Sequence, residues 1–115
     1  MSIERVFKTL MGLGLSETDA QVYVYLATNG PHKARDIATA LKMYKRKIYR
    51  SLKSLQSKEI VNATLERPAQ FSAIPFDKVL NLLIKAHLEE VQYIEQNKEE
   101  ILSHWNSMIT ENSAS

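Results

Sequence analysis

The stretch "KMYKRKIYRSLKSL", Lys42 to Leu55, carries six Lys or Arg residues and no acid. Its apolar residues are nevertheless ordered. Ile48, Leu52 and Leu55 stand at i, i+4 and i+7, the stripe by which a helix faces a core. Arg46, Arg50 and Lys53 fall on the opposite side of the same helical wheel, with Lys45, Lys47 and Tyr49 on its flanks. Cations crowded on one face cannot pair with each other, so they are left to water or to an anionic partner. A solvated surface helix and an anion-binding helix both fit this stretch alone; its neighbours decide between them.

Immediately before it, "ARDIATALKM" repeats apolar residues at Ala34, Ile37, Ala38 and Leu41, which predicts a short helix separated from the basic one only by Lys42 to Tyr44. Two helices so closely joined form a helix-turn-helix candidate, with Tyr44 at the start of the second. Upstream, residues 3 to 11 are helical in pattern and are broken by Gly12 and Gly14. "SETD" then opens a further helix: the Ser16 hydroxyl can cap a free backbone N–H while the Asp19 carboxylate reaches back. Ala20, Tyr23, Val24 and Ala27 continue its inward face to Asn29, where "NGP" stops it. Downstream of Lys58, "IVNATL" and "FSAI" are β-prone runs flanking a Pro-containing turn, a hairpin over about residues 60–74.

From Phe76 no helix breaker occurs until "ENSAS", and residues Leu80, Ile84, His87, Val91, Ile94, Lys98, Ile101, Trp105 and Met108 alternate by four and three. Seven of these nine are apolar, a 3.5-residue period that marks a helix packing on another helix along its length. At about 1.5 Å per residue such a helix is roughly 50 Å long, more than a small body covers. A partner seam is therefore expected, made by Leu80, Ile84, His87, Val91, Ile94, Ile101, Trp105 and Met108; the alternative is a capping helix folded back on the body. The chain divides accordingly into a body (1–75), a long helix (76–110) and a disordered tail (111–115).

Composition agrees with one small domain carrying an extension: 115 residues, 44% hydrophobic, 24% charged, no cysteine. Without cysteine there is neither a disulfide framework nor a thiolate metal site. The apolar runs are too short to span a bilayer and the N-terminus is charged where a signal peptide would be apolar, so a soluble, cytoplasmic protein with no membrane partner is expected. The net charge of +2 conceals an asymmetry. Residues 1–75 hold 12 basic and 6 acidic residues, residues 76–115 hold 3 and 7, so only the body is suited to attract phosphate.

Three helices, the third basic, followed by a hairpin describe a winged helix. Within that frame "LGLSETDAQVYVYLATNGP", "IYRSLKSLQSKEIV" and "RPAQFSAIP" resemble the N-terminal DNA-binding domain of archaeal TrmB-type transcription regulators, over residues 10 to 75. The resemblance implies a winged helix-turn-helix that places its recognition helix, about 45–57, in the major groove of duplex DNA, with a coiled coil as dimer interface. Tyr49 matches the recognition-helix tyrosine of that family, and Arg67-Pro68 the beginning of its wing. Two positions depart from the pattern: Lys33 stands where a Ser or Thr cap is usual, and Glu59 where Gly is usual. Fuller members carry a C-terminal sugar-sensing domain. None is expected after Ser115, so a sugar effector is not carried over.

The fold class expected is thus mainly α with a small β wing. The residues expected on DNA are Lys45, Arg46, Lys47, Tyr49, Arg50, Lys53 and, at the wing tip, Arg67. Arg can take guanine N7 and O6 together, whereas Lys binds phosphate as a point charge. No catalytic group is expected: His32, His87 and His104 have no ligand spacing, and no phosphate loop, GxSxG or HExxH occurs. No metal and no cofactor are expected either. Three functions fit: a dimeric transcriptional regulator, an architectural DNA-coating protein without base preference, and a winged-helix interaction module of a transcription assembly.

Overall fold

The computed structural model describes residues 2–114. The first helix, α1, spans Ile3–Gly12, and α2 spans Glu17–Asn29. Ser16 caps α2 as its spacing requires, its Oγ accepting from the Asp19 N–H at 3.1 Å. Gly30 ends the helix with φ +83°, a conformation that favours glycine. A two-residue strand, β1 (His32–Lys33), leads into α3 (Ala34–Leu41), and Lys42 turns the chain in a left-handed conformation into α4 (Lys45–Ser57). Strands β2 (Val61–Ala63) and β3 (Gln70–Ala73) form the wing hairpin, followed by α5 (Phe76–Gln96) and α6 (Lys98–Ala114).

The sheet has three strands in the order β1-β3-β2, all antiparallel, with His32 opposite Phe71 and Val61 opposite Ala73. The hairpin is where the sequence pattern places it; β1 is an additional strand. The core joins Leu10, Tyr23, Leu26, Ile37, Ile48, Leu52, Leu55 and Ile60, all essentially inaccessible to solvent. Helix α2 contacts α1, α3, α4 and β3, so its apolar surface is wider than a single stripe. Val22 and Leu26 are buried alongside Ala20, Tyr23 and Val24, while Ala27, expected inside, is exposed.

Two compact units divide after Leu83. The first takes in Val79 and Leu83, both buried in the core, and therefore extends past the boundary expected at residue 75. Leu80, expected on a partner seam, is half-buried in this unit and lines a surface pocket with Ser2, Arg5, Val6, Thr9 and Phe76. The second unit consists of the rest of α5 and of α6. Here the single long helix gives way to two, separated by Asn97. Helical bonding nevertheless passes through that residue: Asn97 N–H donates to Tyr93 C=O, and Ile101 N–H to Asn97 C=O. Helix α6 continues to Ala114, so residues 111–114 are helical rather than a disordered tail; Ser115 lies outside the described residues. No helix among the described residues is long and apolar enough to cross a membrane.

Candidate nucleic-acid interface

Helix α4 buries Ile48, Ser51, Leu52 and Leu55 and turns everything basic outward. Lys45, Arg46, Lys47, Arg50 and Lys53 are all exposed, and among the described residues none of these five is held by a hydrogen bond or an ion pair. Tyr44, the residue preceding the helix, is 87% exposed and offers no side-chain cap. Together Tyr44, Lys45, Arg46, Lys47 and Arg50 line a surface depression of about 580 Å³. Tyr49 is half-exposed, its ring neither in the core nor free of the surface. The first turn of α4 therefore presents Lys45, Arg46 and Lys47 with no acid at the positive end of the helix dipole. That arrangement disfavours the isolated helix by a few tenths to about 1 kcal/mol per cation and favours any anion that approaches.

The face is held from behind by a network not anticipated from the pattern. The Asp19 carboxylate, 8% exposed, does not reach back to its own helix start. It accepts from Ser51 Oγ at 2.6 Å and from Ser54 Oγ at 3.0 Å, tying the α2 N-terminus to the inner side of α4. Lys58 Nζ donates to Ser54 Oγ at 3.1 Å and extends the network to the end of the helix. The signal was present in the sequence: Ser51 stands one residue before Leu52 on the inward side, and a buried hydroxyl needs a partner. At the far end, Lys58 is followed by Glu59 at φ +63°, the left-handed conformation that glycine more usually supplies.

The hairpin loop carries Leu65 and Arg67 into solvent, Leu65 without any contact that covers it. Its base is closed twice, by the Thr64 N–H donating to Gln70 C=O and by the Gln70 N–H donating to Thr64 Oγ1, both at 2.9 Å. Arg67 thus lies on a short, pinned loop, separate from the α4 face in sequence. The histidines do not converge. His32 is engaged through Nδ1 with Gly30 C=O at 2.8 Å and edge-on with Tyr25, and no group of His, Asp or Glu among the described residues could hold a metal ion.

Helices α2, α3 and the basic α4, closed by a three-stranded sheet with a projecting hairpin, define a winged helix-turn-helix domain. A profile described as "Sugar-specific transcriptional regulator TrmB" matches residues 10–77, and the chain belongs to that family. No sequence among curated proteins matches it. Among solved structures it is similar to TrmBL2, described as an archaeal chromatin protein with a novel mode of DNA binding. The TM-score is 0.74 at 19% identity, over 95% of this chain and 42% of that one. It is also similar to the ST1889 protein of Sulfolobus tokodaii, with a TM-score of 0.66 at 19% identity over 83% and 99% of the two chains. A possible transcriptional regulator of Methanosarcina mazei Go1 gives a TM-score of 0.63 at 19% identity over 87% and 88%. At such identities these likenesses concern the fold.

Proposed function

We propose that the chain is a transcriptional regulator that binds duplex DNA as a homodimer, a binding protein rather than an enzyme. In this reading α4 enters the major groove and the β2–β3 wing reaches the backbone or minor groove. The observation that carries it is the first turn of α4: three consecutive cations at an uncapped helix N-terminus, exposed, unpaired and backed by a buried carboxylate network. Such a turn gains little for the folded chain and has its natural complement in phosphate. Arg46, Arg50 and Lys53 then face the groove, Lys45, Lys47 and Tyr49 flank it, and Arg67 follows the backbone from the wing. The second copy is drawn in by the second unit, where Ile84, Val91, Ile94, Ile101, Trp105 and Met108 are all 40–56% exposed along one helical path. His87 shares that path.

Fluorescence anisotropy of the intact chain on labelled duplex DNA at a series of salt concentrations tests the reading. Each neutralised phosphate contributes about −0.9 to the slope of log K against log salt, so contacts by three to five side chains per head give a slope of roughly −3 or steeper. Arg50→Ala is expected to lower affinity for a selected site by ~1–3 kcal/mol if the side chain reads a base, and less, uniformly over sequences, if it touches phosphate. A flat salt dependence, or unchanged affinity of Arg50→Ala on every duplex, overturns the assignment of this face.

A further inference from the structure

The dimer proposed above leaves the direction of its two long helices open, and the charges on the seam choose between the two directions. Counting sevens from Ile84, one column of the exposed path holds Ile84, Val91, Lys98 and Trp105, and the adjacent column holds His87, Ile94, Ile101 and Met108. Leu88, Glu95 and Leu102 widen the path on one flank, while Glu90 and His104 border it on the other. Because helical bonding passes through Asn97, this count carries across the junction between α5 and α6.

In a parallel, in-register pair each column meets its own copy. Lys98 then faces Lys98, and Glu90 on the flank of one helix faces Glu95 on the flank of the other, twice over. Three like-charge contacts would occupy the middle of the seam. In an antiparallel pair each column meets the other one. Aligning Lys98 with Ile94 of the second copy also aligns Val91 with Ile101, Ile84 with Met108 and Trp105 with His87, so every layer is filled. On one flank Lys98 comes beside Glu95 of the second copy; the two glutamates meet at the dyad with one lysine on the outer side of each, so a single like-charge contact there stands against two of opposite sign. On the other flank Glu90 comes beside His104.

We propose that the second unit pairs with a second copy of itself in the antiparallel direction, with Lys98 set against Ile94 and Glu95 of the other chain. This surface is unpartnered in the single chain, where Val91, Ile94, Ile101 and Trp105 are exposed. Charge complementarity supports a second copy as its occupant in this direction: Lys98, which meets its own copy in the parallel pair, meets Glu95 of the other chain in the antiparallel one, and the three like-charge contacts fall to one.

The chain has no cysteine, which makes the test direct. Light scattering of the intact chain at tens of micromolar comes first, with a dimer expected; a monomer removes the dimer reading itself and this inference with it. Two single-cysteine chains are then prepared, Val91→Cys and Ile101→Cys, which leave the charged residues in place, one carrying an affinity tag, and each is oxidised alone and after mixing. A disulfide requires Cα atoms within about 4.4–6.8 Å. The antiparallel pair therefore cross-links only in the mixture, giving a product that contains one chain of each kind. Rapid self-cross-linking of Val91→Cys overturns the proposal in favour of a parallel pair while leaving the dimer intact. A dimer that cross-links in neither form overturns the proposed seam.

Discussion

Replacing Asp19 with Ala tests whether the buried tie between α2 and α4 holds the domain together. The carboxylate is 8% exposed and receives two hydroxyl donors, from Ser51 at 2.6 Å and Ser54 at 3.0 Å; Ser51 itself is 3% exposed. Hydrogen bonds to a charged acceptor contribute about 1.5–3 kcal/mol each. Part of that is offset in the variant, because the desolvation cost of the carboxylate vanishes with it. The Ser51 hydroxyl is left in an apolar stripe without an acceptor. A net loss of about 2–4 kcal/mol results, which for a domain of this size lowers Tm by roughly 10–25 °C. Urea denaturation followed by circular dichroism measures it, and Ser51→Ala with the double variant completes a cycle in which the pair should couple by about 1–2 kcal/mol. If Asp19→Ala lies within about 0.5 kcal/mol of the parent, or the cycle shows no coupling, the network is incidental and α4 is held by its apolar stripe alone.

Two further variants probe single positions. Tyr23 donates its hydroxyl to Ile74 C=O at 2.8 Å, and burial, with Asp77 adding to it, pushes its pKa up to about 12. Above pH 10 the unfolded phenol ionises while the folded one keeps its proton, so the unfolded state binds fewer protons and stability falls as pH rises from 10 towards 12. Tyr23→Phe should cost about 1 kcal/mol at neutral pH and flatten that alkaline decline; an identical decline in denaturation midpoint for both chains would mean the phenol is not responsible. Glu59 sits exposed at φ +63°. A left-handed conformation is costly for residues with a Cβ, so Glu59→Gly is expected to raise stability by about 0.5–1 kcal/mol in the same denaturation assay, and a lower stability would show that the glutamate compensates the turn in another way.

What could be read from the sequence follows how strongly each element separates its faces. In α4 the apolar and cationic residues are segregated, and the structure buries Ile48, Leu52 and Leu55 while exposing Arg46, Arg50 and Lys53. Helix α2 was legible at its ends, through Ser16 and Gly30, but less so at its middle: a helix surrounded by α1, α3 and α4 loses its periodicity, which is why Ala27 was misplaced. Strand β1 is only His32 and Lys33, and two residues cannot carry a pattern; it exists because β3 offers a free edge. The junction at Asn97 had a local signal that the longer seven-residue count masked. Asn97 followed by Lys98, Glu99 and Glu100 has the composition of a helix start, with acids in the first turn. The Asp19 network joins residues 32 and 35 apart in sequence, and only the fold brings them together.

Helix α4 shows how stability and function are divided along one element. Its first turn is weak by every local measure, with Tyr44 providing no cap and three cations at the positive end of the dipole. Its middle is strong, because Ile48, Leu52 and Leu55 are wholly buried and Ser51 and Ser54 are bonded to a carboxylate on another helix. The buried middle orients the helix without using any outward side chain, so Arg46, Arg50 and Lys53 can change without loosening the core. The exposed start leaves its first backbone N–H groups without a side-chain cap and its cations without an acid in the same turn. An element held through its buried side, with a first turn free of acid, suits the anion-binding role proposed above. Asp19 lines a surface depression with Lys47 and Arg50 while it bonds Ser51 and Ser54, so it fixes the helix from beside its cations without pairing with any of them.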